Sequence, residues 1–304
     1  MKFFINENFE DKTSGKIKFL GLLSRYLQEM GLKMDKNNPD VLLHIGRDYK
    51  NYIKKSKLIC RLDGLAINTD QDYSSSNNKI YKAVKNSNAI IYQNAFCKES
   101  YESFFPKLKK QKNKCILNGN VVKSHLNKEF SFLANVKWRP HKRVKETAMC
   151  FARACDMGLN SKLYITGEVS KEDRIVHSSI VYVGWVQDAV LEKLLAKCSF
   201  GLHFAWLDWC PNTVVEYLCN GMSVLYSSSG GTKHVVQDNG ISFIDKEWDF
   251  KPHKLYSPPK IDVDHVADKI IDLTKIKNVN SGHVDIRNIA NQYSLFFNEV
   301  CNEK

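Results

Sequence analysis

HFAWLDWCPNTVVEYLCNGMSVLYSSSGGTKHVV, residues 203–236, holds a strand end, a loop, a helix, a second strand and a glycine turn. The strand should end at Phe204, and the loop after it carries Asp208. Pro211 is expected in the first helical turn, where its missing N–H would have had no partner anyway. The amides of Asn212, Thr213 and Val214 are then expected as free donors at the positive end of a helix, a ready site for phosphate oxygens. Glu216 follows among Val214, Val215, Tyr217, Leu218 and Cys219. A helix apolar nearly all round is a buried one, and a lone carboxylate inside it needs a partner. Glu216 lies about 7.5 Å along the axis from Pro211, at ~1.5 Å per residue. A diphosphate at the helix start would bring its ribose to that depth. The helix alone fits a salt-bridged or solvent-facing Glu216 equally well.

Outward from this stretch, short apolar runs alternate with helix-period segments. Strands are expected at 2–5, 41–46, 57–62, 89–94 and 114–119, and again at 129–136, 162–167, 180–185, 200–204 and 222–226. Helices are expected at 142–156, 187–198, 211–220, 231–238, 262–276 and 284–301, with an earlier one built on Ile17, Leu20, Leu23, Leu27 and Met30. DQDYSSSNNK (70–79) reads as a loop. The alternation predicts an α/β protein of two Rossmann-like domains, whose parallel sheets face an interdomain cleft. The expected division is 1–124, 125–280 and a C-terminal helix at 281–304 that could cross back to the first domain, with a hinge in 118–128.

The length of 304 residues suits two domains at roughly 150 residues each. No run approaches the roughly 20 apolar residues that span a bilayer. MKFFINENFEDK turns polar too early for a signal peptide, which points to the cytoplasm. Nine cysteines without a C-x-x-C pair read as reduced thiols, with no metal site among them. The net charge is +12, mostly as dispersed lysines. Two basic runs stand out. KLKKQKNK (107–114) reads as a solvated face, and KWRPHKR (137–143) as functional, because cations before a helix are disfavoured unless an anion arrives.

As an ensemble, Asp208-x7-Glu216, Asn220-Gly221-Met222-Ser223-Val224 and Gly230-Gly231-Thr232 resemble retaining glycosyltransferases of the GT-B fold, family 4 in particular. The first acid is Asp where the family mostly has Glu, and His234 stands where an acid usually follows the glycine pair. FLANVKWRPHKRVKETAMCF (132–151) looks like the first strand and basic pair of the family's donor domain. The resemblance is specific across 132–236 and thin before it.

It implies transfer of a sugar from a nucleotide-sugar (UDP-, GDP- or ADP-linked) to a glycan or other hydroxyl, without metal or further cofactor. Asp208 would lie beside the donor sugar. Lys142, with Arg139 or Lys137, would neutralise the diphosphate, and Glu216 would hold the ribose. Pro211, Asn212 and Thr213 would meet the phosphates, Gly184, Trp185 and Val186 the base, and Gly15 would approach the phosphates from the first domain. Arg61 and Asp63 fit either a place at a strand end facing the cleft or a local salt bridge. Three other readings stay open: a nucleotide-sugar epimerase of the same fold, a basic nucleic-acid-binding protein, and a sugar-nucleotide-binding protein without turnover, which the presence of both acids and the basic pair disfavours. The scattered lysines and lack of a known module disfavour nucleic acid, while peripheral contact with a membrane stays open.

Overall fold

The structure, a computed structural model, describes residues 1–7, 14–46, 55–125 and 127–302. The chain forms two compact units. The first comprises Met1–Val121, Phe250–His253 and His283–Lys304; the second comprises Val122–Asp249 and Lys254–Gly282.

The first unit holds a six-stranded, wholly parallel sheet. Its strands are β1 (Lys2–Asn6), β2 (Lys33–Met34), β3 (Val41–Ile45), β4 (Lys57–Leu62), β5 (Ala89–Tyr92) and β6 (Lys112–Cys115), in the order β2-β1-β3-β4-β5-β6. Helices α1 (Gly15–Glu29), α2 (Tyr73–Lys85) and α3 (Ala95–Phe104) link them, and α9 (Ile286–Cys301) completes the unit. On α1, Leu20, Leu23 and Leu27 recur at helical spacing and are fully buried. They meet Ile286, Ile289, Tyr293, Phe296 and Phe297 of α9 in one apolar cluster with β1 and β3.

The second unit repeats the architecture with β7 (Glu129–Asn135), β8 (Lys162–Thr166), β9 (Ile180–Gly184), β10 (Cys198–His203), β11 (Ser223–Ser227) and β12 (Gly240–Phe243). Its sheet is also wholly parallel, in the order β12-β11-β10-β7-β8-β9. The connecting helices are α4 (Val144–Asp156), α5 (Asp188–Lys197), α6 (Asn212–Cys219), α7 (Thr232–Val236) and α8 (Val263–Leu273). Helices α4 and α8 cover an apolar cluster centred on Phe132, Phe151, Leu202, Phe204 and Phe243. The order reverses between β7 and β10, and in such sheets ligands bind beyond the carboxyl ends of the strands at that reversal.

The expected elements stand with shifted ends, apart from one. Residues 70–79 are not a loop throughout: α2 begins at Tyr73. The Asp72 carboxylate caps it by accepting from the Ser75 amide at 3.0 Å, and Asn77, Ala83 and Val84 bury its inner face. A Ser- and Asn-rich opening conceals a helix whose cap and burial override its propensity. Strands β2 and β12 and helix α3 are additional to the expected elements. Among the described residues no helix is long and apolar enough to cross a membrane.

Candidate active site

The carboxyl ends of β7 and β10 are stitched together before any functional side chain is considered. Gly201 in β10 admits the ring of Tyr217 from α6, since a Cβ there would overlap it. The Tyr217 hydroxyl accepts from the Asn135 amide at the end of β7, at 2.7 Å. Helix α6 is thereby seated on the sheet. The loops after the two strands are joined where the Trp206 amide donates to the His141 carbonyl, at 2.9 Å.

On this base, the Lys142 ammonium pairs with Asp208 Oδ2, and His203 Nε2 lies 3.0 Å from the same oxygen. Lys142 and Asp208 side chains are 17% and 14% exposed, so the pair is shielded but still open on one side. Burial would raise the Asp208 pKa, but the Lys142 charge and the His203 hydrogen bond outweigh it, and the carboxyl is held well below the ordinary range. His203 is buried, and burial lowers its pKa against the pull of Asp208. A neutral ring facing a carboxylate must donate through Nε2; its buried Nδ1 has no partner among the described residues. His141, stacked on Tyr256 with centroids 5.5 Å apart, is pushed down to about 3 by burial and by the Lys142 charge.

The Asp208 loop rests on the glycine turn. Asp208 and Gly230 form an isolated parallel bridge, and the Gly231 amide donates to the Asp208 carbonyl at 2.7 Å. Gly230 has φ +89, and a Cβ there would sit 2.7 Å from the Asp208 carbonyl oxygen. The glycine pair therefore fixes the position of the acid.

Two adjacent cations divide. Lys142 reaches the site, whereas Arg143 turns inward at φ 59 to a buried salt bridge with Asp245 at 2.6 and 3.2 Å. Arg143 also donates to the Phe204 and Pro259 carbonyls, and Ser227 donates to Asp245. These bonds offset a left-handed backbone that costs about 1–3 kcal/mol. Arg139 and Lys137 are exposed, and neither joins an ion pair among the described residues.

Helix α6 differs from expectation in its first turn. Pro211 is the N-cap, and its carbonyl accepts from the Val214 and Val215 amides at 3.0 and 3.2 Å. Val214 is therefore no free donor: the first turn closes on itself. The Thr213 amide has no acceptor among the described residues. Asn212, Thr213 and Glu216 are half-buried. Gly184 ends β9 at φ 78 and its carbonyl accepts from Gly167, while Trp185 beside it is 71% exposed and Val186 is half-buried. In the first unit Gly15 opens α1 and is exposed. Arg61 and Asp63 form a local salt bridge, with Arg61 also bonded to Asn118 and, at 3.0 Å, to the Tyr293 hydroxyl. His234 lies in α7, its amide bonded to the Gly231 carbonyl.

His203, Arg143 and Asp245 escape sequence reasoning. His203 carries a signal in hindsight, a polar residue ending an apolar strand five positions before the acid. Arg143 and Asp245, 102 positions apart, carry none. No group of three or more His, Cys, Asp or Glu among the described residues is placed to hold a metal ion.

No protein-family model matches the chain, and no curated protein sequence matches it. Solved structures do. A sucrose-phosphate synthase from Thermosynechococcus elongatus superposes with TM-score 0.70 at 11% identity, covering 99% of both chains. AviGT4, a glycosyltransferase of avilamycin A biosynthesis, gives 0.63 at 13% identity over 100% of this chain and 98% of its own. Anabaena HepE in complex with UDP-glucose gives 0.60 at 12% identity over 98% and 99%. At these identities the likeness is one of fold: two parallel-sheet, Rossmann-like domains of GT-B type.

Proposed function

We propose that the chain transfers a glycosyl group from a nucleotide-sugar to a hydroxyl acceptor, with retention of anomeric configuration. The observation that carries this reading is the Lys142–Asp208–His203 cluster at the strand-order reversal, directly before α6. Its parts match the needs of the reaction. Breaking the glycosidic bond leaves growing negative charge on a diphosphate and positive charge on the sugar ring. Lys142 can turn from Asp208 to the diphosphate, helped by Arg139 and the Thr213 amide, and such fixed donors stabilise a leaving group without reorganisation. Asp208, kept ionised, is suited to the sugar side, to accept from its hydroxyls and face the developing cation. Glu216 would accept from the ribose, and the Gly184–Val186 turn would carry the base. Lys142, Arg139 and the helix amide supply the positive charge, so the scheme calls for no metal. The departing diphosphate can itself take the acceptor proton on the face it leaves, which gives retention.

The test is product analysis on the full chain with UDP-, GDP- and ADP-sugars, first ranked by thermal shift. A specific donor at 100 times its dissociation constant should stabilise by about 2.7 kcal/mol. NMR of the product should then show the donor's anomeric configuration on a new glycosidic bond. Conversion of the donor sugar without an acceptor would replace this reading with epimerisation, and inversion would remove the same-face mechanism.

A further inference from the structure

Helix α2 carries Lys79, Lys82 and Lys85 at three-residue spacing, all exposed. Lys107, Lys109 and Lys110 are exposed on the short helical turn Pro106–Lys110. The fold brings these two groups together. Gln111 Nε2 donates to the Val84 and Ser87 carbonyls at 3.3 Å, tying the turn to the end of α2. Tyr81 of α2 stacks on Phe105 with centroids 4.8 Å apart, and Phe104 packs on Phe105. The three rings are half-buried.

The two stretches themselves supply no acid to neutralise this charge. Residues 73–98 and 103–128 contain no Asp or Glu. Glu102, from the stretch between them, pairs with Lys98 instead. Lys112 and Lys114 also belong elsewhere: both donate to Glu299 of α9. Among the described residues none of the six exposed lysines has an anionic partner. The run 107–114 reads as an ordinary solvated face by itself; the α2 lysines beside it make a concentrated cationic surface.

We propose that this face of the first unit docks on the surface of an anionic lipid bilayer. Lipid suits it better than nucleic acid for two reasons. The charges are all lysine, with no arginine in either segment to grip phosphate in a two-pronged fashion. The rings pack on one another, so they do not offer the free faces on which bases stack. Exposed lysines close in sequence to half-buried aromatic rings match the bilayer interface, where ammonium groups reach headgroups and rings sit at their level. The proposal stands apart from the glycosyl-transfer reading, because none of these residues belongs to that site.

The experiment is co-sedimentation of the full chain with vesicles of phosphatidylcholine alone or of equal parts phosphatidylcholine and phosphatidylglycerol. Binding should require the anionic lipid and fade as salt shortens the screening length. Each lysine at an anionic surface contributes roughly fivefold, so Lys82→Glu, Lys85→Glu and Lys109→Glu together should weaken binding at least about 100-fold. Lys171→Glu, Lys193→Glu and Lys246→Glu, exposed in the second unit, change the net charge equally and should leave most of the binding intact. Equal loss in both triple variants would reduce the effect to bulk charge and overturn the proposal. Equal binding to neutral vesicles would overturn it too, and so would retention on single-stranded RNA without vesicle binding.

Discussion

Each unit keeps a cation at the carboxyl end of a central strand, and the two are treated differently. In the first, Arg61 near the end of β4 is 1% exposed, with Asp63, Asn118 and the Tyr293 hydroxyl taking its donors and the Phe19 ring 4.8 Å from its guanidinium carbon. In the second, neighbouring residues part company. Arg143 is as deeply buried as Arg61, held by Asp245 and two carbonyls, although its Nε has no acceptor among the described residues. Lys142 has one carboxylate partner and an open side. A buried cation held by several protein acceptors is a staple; one with a single partner and a route to solvent can change partners. Location at a strand end does not separate them, but the count of acceptors does.

Arg143→Leu should show the largest effect. It leaves Asp245 buried without its cation, and removing one member of such a pair costs about 3–5 kcal/mol. Denaturant unfolding checks this, and a change below about 1 kcal/mol would break the distinction between staple and working cation.

Lys142→Ala should give the mirror image. Turnover should fall roughly 10²–10³-fold, the loss expected for one group stabilising developing charge, while stability falls by less than for Arg143→Leu, because the Asp208 carboxylate left behind keeps some solvent exposure and the His203 contact. Steady-state rates beside the same denaturation curve decide it; unchanged turnover would remove Lys142 from the chemistry.

Gly230→Ala comes next, at about 1–3 kcal/mol, from a strained φ and a Cβ pressed on the Asp208 carbonyl. Because that strain falls on the acid's own loop, turnover should drop as well, which a remote glycine substitution of equal cost would not produce.

The smallest effect is a slope. His141, held neutral by burial with its pKa pushed down to about 3, resists protonation that an unfolded imidazole accepts near pH ~6.5. The unfolded state then binds more protons, and stability falls as pH drops through that window, by at most about 1.4 kcal/mol per pH unit. His203 acts in the same direction. Asp208 is held low and stays ionised until more acid conditions. His141→Phe keeps the stack on Tyr256 and should flatten the slope between about pH 6.5 and about pH 4.5.

Most of the fold was legible because buried strands announce themselves as apolar runs and most helices as a period. The places of Lys142 and Asp208 beside strand ends were legible because both lie within recognisable segments. Illegible were facts decided by distant partners. That Arg143, and not Lys142, would bury itself depends on Asp245 and the Pro259 carbonyl, more than 100 positions later. The closed first turn of α6 depends on the Pro211 carbonyl bending onto Val214 and Val215, a backbone detail that side-chain pattern does not encode. Asp72 shows the opposite: its cap was in plain view, masked by a serine- and asparagine-rich neighbourhood.

The composition of the first unit has a consequence for synthesis. Its apolar cluster is finished by Ile286, Ile289, Tyr293, Phe296, Phe297 and Val300, and Gly119 faces Ile289 so closely that a Cβ would lie 2.7 Å away. On the ribosome, which delivers residues in order, the sheet made first must wait for the last helix before its face is covered. The second unit, made entirely in between, can mature ahead of it. A chain stopped some 20 residues short would thus release a folded second half tethered to an uncovered first.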